Sequence, residues 1–324
     1  MMYLLALGGF VLLFAGGEWL VRGAVSVSRR FGVSPLLIGL TIVAFCTSAP
    51  ELVVSLEAAW RGQVDIAIGN VVGSNIANVL LIVGASALVT PIIVKPAGIR
   101  RDLLIMLGAI AVLTGLGLYG VIERWHGGLM VGVLITYIWY SYWTEMTKGA
   151  PSGELHLHEA DEEIVGKAKS LRVGLLELAA GLVALVAGSK MLVTGAEEIA
   201  RSFGVSEAVI GLTLVALGTS LPELATSLVA AARNHADVAV GNVVGSNIFN
   251  VLAILGITSM TRALEVSPGI AAFDIWVMLA SSVVLLPLVL WRGRIGRLGG
   301  ALLLAGYVAY IGVLYTGVAG PGAL

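Results

Sequence analysis

The sequence predicts an all-α integral membrane protein of ten transmembrane helices, arranged as two five-helix halves in inverted topology. Three observations carry that prediction. First, 58% of the 324 residues are hydrophobic and only 12% are charged, against roughly a quarter charged in soluble domains; the mean hydropathy is +0.98. Second, apolar runs of about 20 residues, long enough to cross a bilayer, recur along the whole chain. Third, one stretch occurs twice. Residues 39–84 and 211–256 share Thr-Ser-x-Pro-Glu early and Gly-Asn-Val-Val-Gly-Ser-Asn-Ile-x-Asn late, at a constant offset of 172 (211 − 39). About two positions in three are identical, and an internal repeat of that quality governs the reading of the fold.

The apolar segments fall near 3–21, 33–60, 66–90, 102–122 and 127–145, then near 173–193, 205–232, 238–262, 271–291 and 298–318. The start, MMYLLALGGFVLLFAGG, has no basic region before its apolar run, so it reads as a retained first helix and not a cleaved signal. Similarity extends upstream of the doubled motif: FGVSPLLIGLT (31–41) matches FGVSEAVIGLT (203–213), and GGEWLVRGA (16–24) matches GSKMLVTGA (188–196) more loosely. The chain therefore divides into a first half (1–145, with repeat 39–84), a linker (146–172) and a second half (173–324, with repeat 211–256). Because five is odd, the second half must enter the membrane from the side opposite to the first. Inverted repeats of this kind are typical of secondary transporters, whose sites form near the midplane.

Basic residues set the orientation. Arg22, Arg29, Arg30, Lys95, Arg100, Arg101, Lys148, Lys167, Lys169, Arg172, Arg233, Arg292, Arg294 and Arg297 fall in alternate loops, while the opposite loops hold only Arg61, Arg124, Arg201 and Arg262. The basic loops are expected in the cytoplasm, with both termini outside the plasma membrane. The linker carries an acidic run with two histidines, GELHLHEADEE (153–163), which reads as a solvated tether before it reads as a cation site. A net charge of −1 excludes the basic face that a nucleic-acid partner needs. The single Cys46 can form no intrachain disulfide.

The doubled motif places Glu51 and Glu223 inside apolar segments, each one residue after a proline. Proline removes a backbone donor and opens its helix, so carbonyls near Ala44, Phe45 and Cys46, and near Ala216, Leu217 and Gly218, are expected to be freed towards a polar cavity. Thr47 and Ser48 sit within a turn of Glu51, and Thr219 and Ser220 within a turn of Glu223. The later part of each copy adds Gly73, Ser74, Asn75 and Asn78, with Gly245, Ser246, Asn247 and Asn250 opposite; Ser74 and Asn78, like Ser246 and Asn250, stand at i, i+4 on one helical face. Carboxylate, hydroxyl, amide and carbonyl oxygens suit hard cations such as Ca2+ or Na+ and argue against zinc or copper. Intramembrane acids are functional-site hypotheses by default, and a transported cation is a natural partner for two of them. Any single hydroxyl or amide could equally staple helices together; Gly69, Asn70, Gly73, Gly241, Asn242 and Gly245 read as packing or helix-opening residues before they read as ligands. Glu57 lacks a repeat counterpart, since Val229 stands there, and is set aside. Glu18 and its counterpart Lys190 (18 + 172) read as helix-end residues snorkelling to water, or as an ion pair between the halves.

Residues 39–84 and 211–256 resemble the two alpha-repeats of the cation/Ca2+ exchanger superfamily, specifically its prokaryotic sodium/calcium exchangers, and the likeness covers essentially the whole chain. The resemblance implies competitive binding of Ca2+ and Na+ at Glu51 and Glu223. It further implies sodium sites built from the carbonyls of Ala44 and Ala216 with Thr47, Ser48, Ser74, Thr219, Ser220 and Ser246, and Asn78 and Asn250 flanking the centre. Two departures matter. Cys46 replaces a glycine usual in the family, and both Asn78 and Asn250 are neutral where several relatives carry an aspartate, which weakens a potassium-coupled reading.

The reading is thus a Ca2+/Na+ antiporter working by alternating access, without a cofactor, a single chain sufficing as the unit. Proton-coupled Ca2+ exchange is the alternative within transporters, and a cation channel the alternative outside them. An enzyme is disfavoured: His126, His156, His158 and His235 fall in loops, leaving no base for a serine nucleophile.

Overall fold

The computed structural model describes residues 1–94, 96–148, 170–203, 218–290 and 293–315. Helix α1 (Met2–Phe31) leads into α2 (Pro35–Ile38), a π-helical turn (Gly39–Val43), α3 (Ala44–Thr47) and α4 (Ala49–Trp60). Then come α5 (Val64–Ala77), a π-helical turn (Asn78–Val83), α6 (Gly84–Val89), α7 (Pro96–Tyr119) and α8 (Arg124–Lys148). The second half holds α9 (Leu171–Ser202), α10 (Leu221–Ala232), α11 (Ala236–Phe249), a π-helical turn (Asn250–Leu255) and α12 (Gly256–Thr261). It ends with a π-helical turn (Ile270–Asp274), α13 (Ile275–Leu290) and α14 (Arg297–Tyr315).

Among the described residues, seven helical stretches are long and apolar enough to cross a membrane, and an eighth if α2–α3 and α4, bent by 44° at Ser48, form one span. The expected ten is not reached by this measure. The 25-residue α8 falls short because Trp, Tyr and Thr crowd its second half, and residues 205–217 of the segment 205–232 lie outside the described residues. The linker run 153–163, with His156 and His158, lies outside them too, as does Ala216. Helix α1 runs ten residues beyond the expected end near 21, because nothing breaks it before Gly32, whose φ of 65° closes the helix in the left-handed region. Ser34 then caps α2, its hydroxyl accepting from the Leu37 amide, with Pro35 at the first helical position. His126 lies in the first turn of α8 and not in a loop.

Two small ribbons qualify the all-α expectation. Strand β1 (Ile92–Ile93) pairs antiparallel with β4 (Arg294–Ile295), and β2 (Val121–Ile122) with β3 (Leu264–Glu265). Each ribbon joins a first-half strand to a second-half strand; two-residue strands are too short to leave a period in sequence.

Helices α1 and α9 pack antiparallel along a line of glycines: Gly9 meets Gly188, Gly16 meets Gly181, Gly23 meets Gly174 and Gly195 meets Met2 and Ala6. A methyl group at Gly9 would lie 2.4 Å from the Leu192 amide nitrogen, and one at Gly181 2.5 Å from that of Leu20. The backbones touch because no Cβ intervenes, the small-residue contact common in membrane bundles. Further in, the stretch 238–256 is buried at every residue. Gly241 and Gly245 let it approach the main chain at Leu36 and Leu40.

Glu18 does not pair with Lys190. Its carboxylate accepts from Arg22 at 2.6 Å and from Arg233 at 2.8 and 3.0 Å, fastening α1 to the end of α10, while Lys190 is exposed. Glu57 lies on the surface and pairs with Arg61 one turn on. Two aspartates are buried: Asp102 accepts the Tyr137 hydroxyl at 3.0 Å and Asp274 that of Tyr310 at 2.9 Å.

Candidate functional site

The two glutamates are enclosed, each only 1% exposed, in the first turn of α4 and of α10 respectively. Each is reached by a serine of the opposite half. Ser48 donates to Glu223 Oε1 at 3.0 Å. Ser220 Oγ lies 3.4 Å from Glu51 Oε1 and 3.3 Å from Ser74 Oγ, and its one proton serves either. Thr47 Oγ1 lies 3.1 Å from Asn242 Oδ1 and 3.3 Å from the Ala44 carbonyl. Among the described residues no ion pair of Lys or Arg involves either glutamate.

The helix break has a different shape from the one expected. Ser48, with φ −85° and ψ 2°, separates α3 from α4, and Pro50 stands at the start of α4, where its missing N–H costs nothing. The Ala44 carbonyl is not freed: it accepts the Ser48 amide at 2.9 Å, keeping one lone pair for another partner. On the other side the Gly218 carbonyl accepts the Ser189 hydroxyl at 2.5 Å.

The asparagines close the site from the other direction. Asn78 donates to Asn247 Oδ1 at 2.9 Å, and Asn250 donates to Asn75 Oδ1 at 3.1 Å. Asn78 and Asn250 each open a π-helical turn, a feature frequent at functional positions. Asn70 and Asn242, read as packing or helix-opening residues, hold the broken helices. Asn70 donates to the Glu51 carbonyl and to Ser55, at 3.1 and 2.9 Å. Asn242 donates to the Glu223 carbonyl and to Ser227, at 3.4 and 3.0 Å. Asn75 and Asn247, polar residues of the doubled motif, are not among the ligands nominated from the sequence.

Among the described residues, six buried oxygens of the doubled motif have no hydrogen-bond partner: Glu51 Oε2, Glu223 Oε2, Asn78 Oδ1, Asn250 Oδ1, Thr219 Oγ1 and Ser246 Oγ. All belong to residues nominated from the sequence. Buried polar atoms are nearly always paired, so such a concentration of unpaired oxygen, two carboxylates included, fits a hard cation. Among the described residues no group of three or more His, Cys, Asp or Glu comes together; the oxygens of this site come mainly from amides and hydroxyls.

Comparison with known proteins points the same way. A family model described as sodium/calcium exchanger protein matches residues 1–143 and 173–316. The chain is 39% identical to the putative antiporter CaxA of Alkalimonas amylolytica, over 95% of this chain and 97% of that one. It is 34% identical to the sodium/calcium exchanger MaX1 of Methanosarcina acetivorans, over 97% and 98%. A solved structure of the sodium-calcium exchanger NCX_Mj superposes with a TM-score of 0.82 at 32% identity, covering 97% of this chain and all of that one. The protein is a multi-pass membrane protein, and its chain belongs to the sodium/calcium exchanger family of transporters.

Proposed function

We propose that this protein is an antiporter exchanging Ca2+ for Na+ by alternating access, with both ions sharing a site between Glu51 and Glu223 near the membrane midplane. The observation that carries the reading is the set of six unpartnered buried oxygens on Glu51, Glu223, Asn78, Asn250, Thr219 and Ser246. Two carboxylates supply about two negative charges, matched by one Ca2+ or by more than one Na+, and the neutral oxygens complete a shell for hard cations. Because both ions need the same carboxylates, they compete, and competition at one alternately exposed site is what couples their opposite flows. Thr47, Ser48, Ser74, Ser220 and the Ala44 carbonyl, grouped around the glutamates, are the further ligands proposed, with Ala216 expected opposite Ala44.

The same reading includes ten transmembrane helices in two inverted halves, both termini outside the plasma membrane. The antiparallel contact of α1 with α9 supports inversion, since the segments are related by the repeat yet run in opposite directions. The reciprocal bonds Ser48–Glu223 and Ser220–Glu51, and Asn78–Asn247 and Asn250–Asn75, support a two-fold relation, because moving the first residue of a bond up by 172 and its partner down by 172 generates the reciprocal bond. Ribbon β1–β4 groups loops expected in the cytoplasm, and ribbon β2–β3 groups loops expected outside. The linker 146–172 is proposed as a cytoplasmic tether.

The test is 45Ca2+ uptake into proteoliposomes carrying outward gradients of Na+, K+ or H+ in parallel. An outward Na+ gradient should drive uptake, and Glu51→Gln or Glu223→Gln should abolish it. Uptake driven by protons in sodium-free buffer would replace sodium in this reading, and full exchange by either variant would remove the shared site.

A further inference from the structure

A carboxamide in an ion site has two faces of nearly equal size and opposite use. The oxygen can bind a cation, whereas the NH2 group repels one. Asn78 and Asn250 can serve the proposed site only if something decides which face each presents, and the decision is written into the bonds behind them. Asn78 gives its NH2 group to Asn247 Oδ1, and Asn247 gives its own NH2 group to Met106 Sδ at 3.6 Å. On the other side Asn250 gives its NH2 group to Asn75 Oδ1, and Asn75 gives its own to Met278 Sδ at 3.6 Å. Met106 and Met278 differ by 172, as do Asn75 and Asn247, and Asn78 and Asn250. Each chain of bonds crosses between halves twice.

A thioether sulfur fixes the sense of such a chain because it accepts, weakly, and has no hydrogen to give. Turn Asn247 over, and its oxygen would face the sulfur lone pairs while its NH2 group faced the NH2 group of Asn78. Turn both amides over, and an oxygen still meets the sulfur. Only one arrangement leaves every contact as donor to acceptor, and it ends with Asn78 Oδ1 and Asn250 Oδ1 unpartnered and enclosed. Ser74, one turn before Asn78 on the same face, lies 3.3 Å from Ser220, which adjoins Glu51. The oxygen thus belongs to the glutamate site.

We infer that Asn75 and Asn247, polarised by the sulfurs of Met278 and Met106, are positioning residues that lock Asn250 and Asn78 with their oxygens presented to the transported cation. This inference rests on the site proposed above and deepens it: a neutral amide becomes a dependable ligand without a carboxylate in its place. Helix stapling alone would need neither the sulfur nor a sense of direction.

Met106→Leu and Met278→Leu conserve volume and apolarity while deleting the acceptor, and volume-conserving swaps of this kind are well tolerated in cores. In Na+-driven 45Ca2+ uptake by the full chain in proteoliposomes, each should raise the apparent KM for Ca2+ about fivefold, the size of one weak hydrogen bond, at unchanged maximal rate and with only a small fall in melting temperature. In an Asn250→Asp background, where either carboxylate oxygen can face the ion, the added effect of Met278→Leu should disappear. An unchanged KM in both methionine variants, or an equal effect of Met278→Leu with and without Asn250→Asp, would overturn the inference. Equilibrium 45Ca2+ binding to Glu51→Gln, measured alongside, separates the two levels. Retained binding there defeats the site itself, whereas lost binding with silent methionine variants defeats only the relay.

Discussion

Ser48 donates a 3.0 Å hydrogen bond to Glu223, a residue 175 positions later, and Ser220 approaches Glu51 in the same way at 3.4 Å. Each acid is therefore oriented by the half of the chain to which it does not belong. Hydrogen bonds to a charged group are stronger than neutral ones. Ser48→Ala should raise the apparent KM for both Na+ and Ca2+ by roughly tenfold, and Ser220→Ala somewhat less because its bond is longer. Competition curves in proteoliposomes check this; a change in affinity for one ion alone would mean that the two ions do not share the carboxylates.

The glycine seam between α1 and α9 gives a prediction with a built-in control. A methyl group at Gly16 would lie 2.8 Å from the Leu185 amide nitrogen, so two backbones must separate to admit it. At Gly8 the methyl meets only the tip of Met191, at 3.2 Å. Gly16→Ala should therefore cost about 1–3 kcal/mol, seen as a lower melting temperature in detergent, while Gly8→Ala should melt close to the parent protein.

Arg233, which grips Glu18, stands two residues from His235 at the entry to α11. Burial, with the cations Arg29 and Arg233, holds the His235 imidazole below its ordinary range, while Glu18 pulls the other way. A histidine whose pKa is depressed by folding resists protonation in the folded state. Its contribution is intact above the unfolded pKa of about 6.5 and is lost as pH falls below it. The melting temperature should accordingly drop between about pH 7.5 and pH 5.5. His235→Gln should flatten that dependence, and Glu18→Gln should steepen it by removing the counteracting charge.

The unpartnered oxygens predict a direct effect of cargo on stability. A cation that binds only the folded chain stabilises it by about 2.7 kcal/mol when present at 100 times its dissociation constant. Adding Ca2+ to protein stripped with chelator in Na+-free detergent buffer should raise the melting temperature, and Glu223→Gln should abolish the rise. An undiminished rise in that variant would place the stabilising ion elsewhere.

The residues gathered around Glu51 and Glu223 were legible from sequence because acids and amides stand out against an apolar background, and because the motif is doubled. Their neighbours were harder to read. Met106 and Met278 look like any core methionine until Asn247 and Asn75 are seen to point at them. The glycines at 9, 16 and 23, and at 174, 181, 188 and 195, follow a seven-residue spacing, yet a spacing within one helix does not name the helix it faces. Glu18 was matched to Lys190 by the repeat offset, but an ion pair answers to proximity, and the end of α10 brings Arg233 closer. Proline suggested an opened helix and loose carbonyls; the chain instead breaks two residues earlier, at Ser48, and keeps the Ala44 carbonyl bonded.

The two ribbons bear on how such a chain is made. Strand β1 is synthesised some 200 residues before its partner β4, and β2 about 140 before β3. Until the second half emerges from the ribosome, the first has unpaired strands at both ends of the bundle, and Glu51 still lacks Ser220. The folding unit is therefore the whole chain, even though the sequence was built by repeating a half. A nascent first half carries its acid unanswered until its counterpart arrives to close both faces at once.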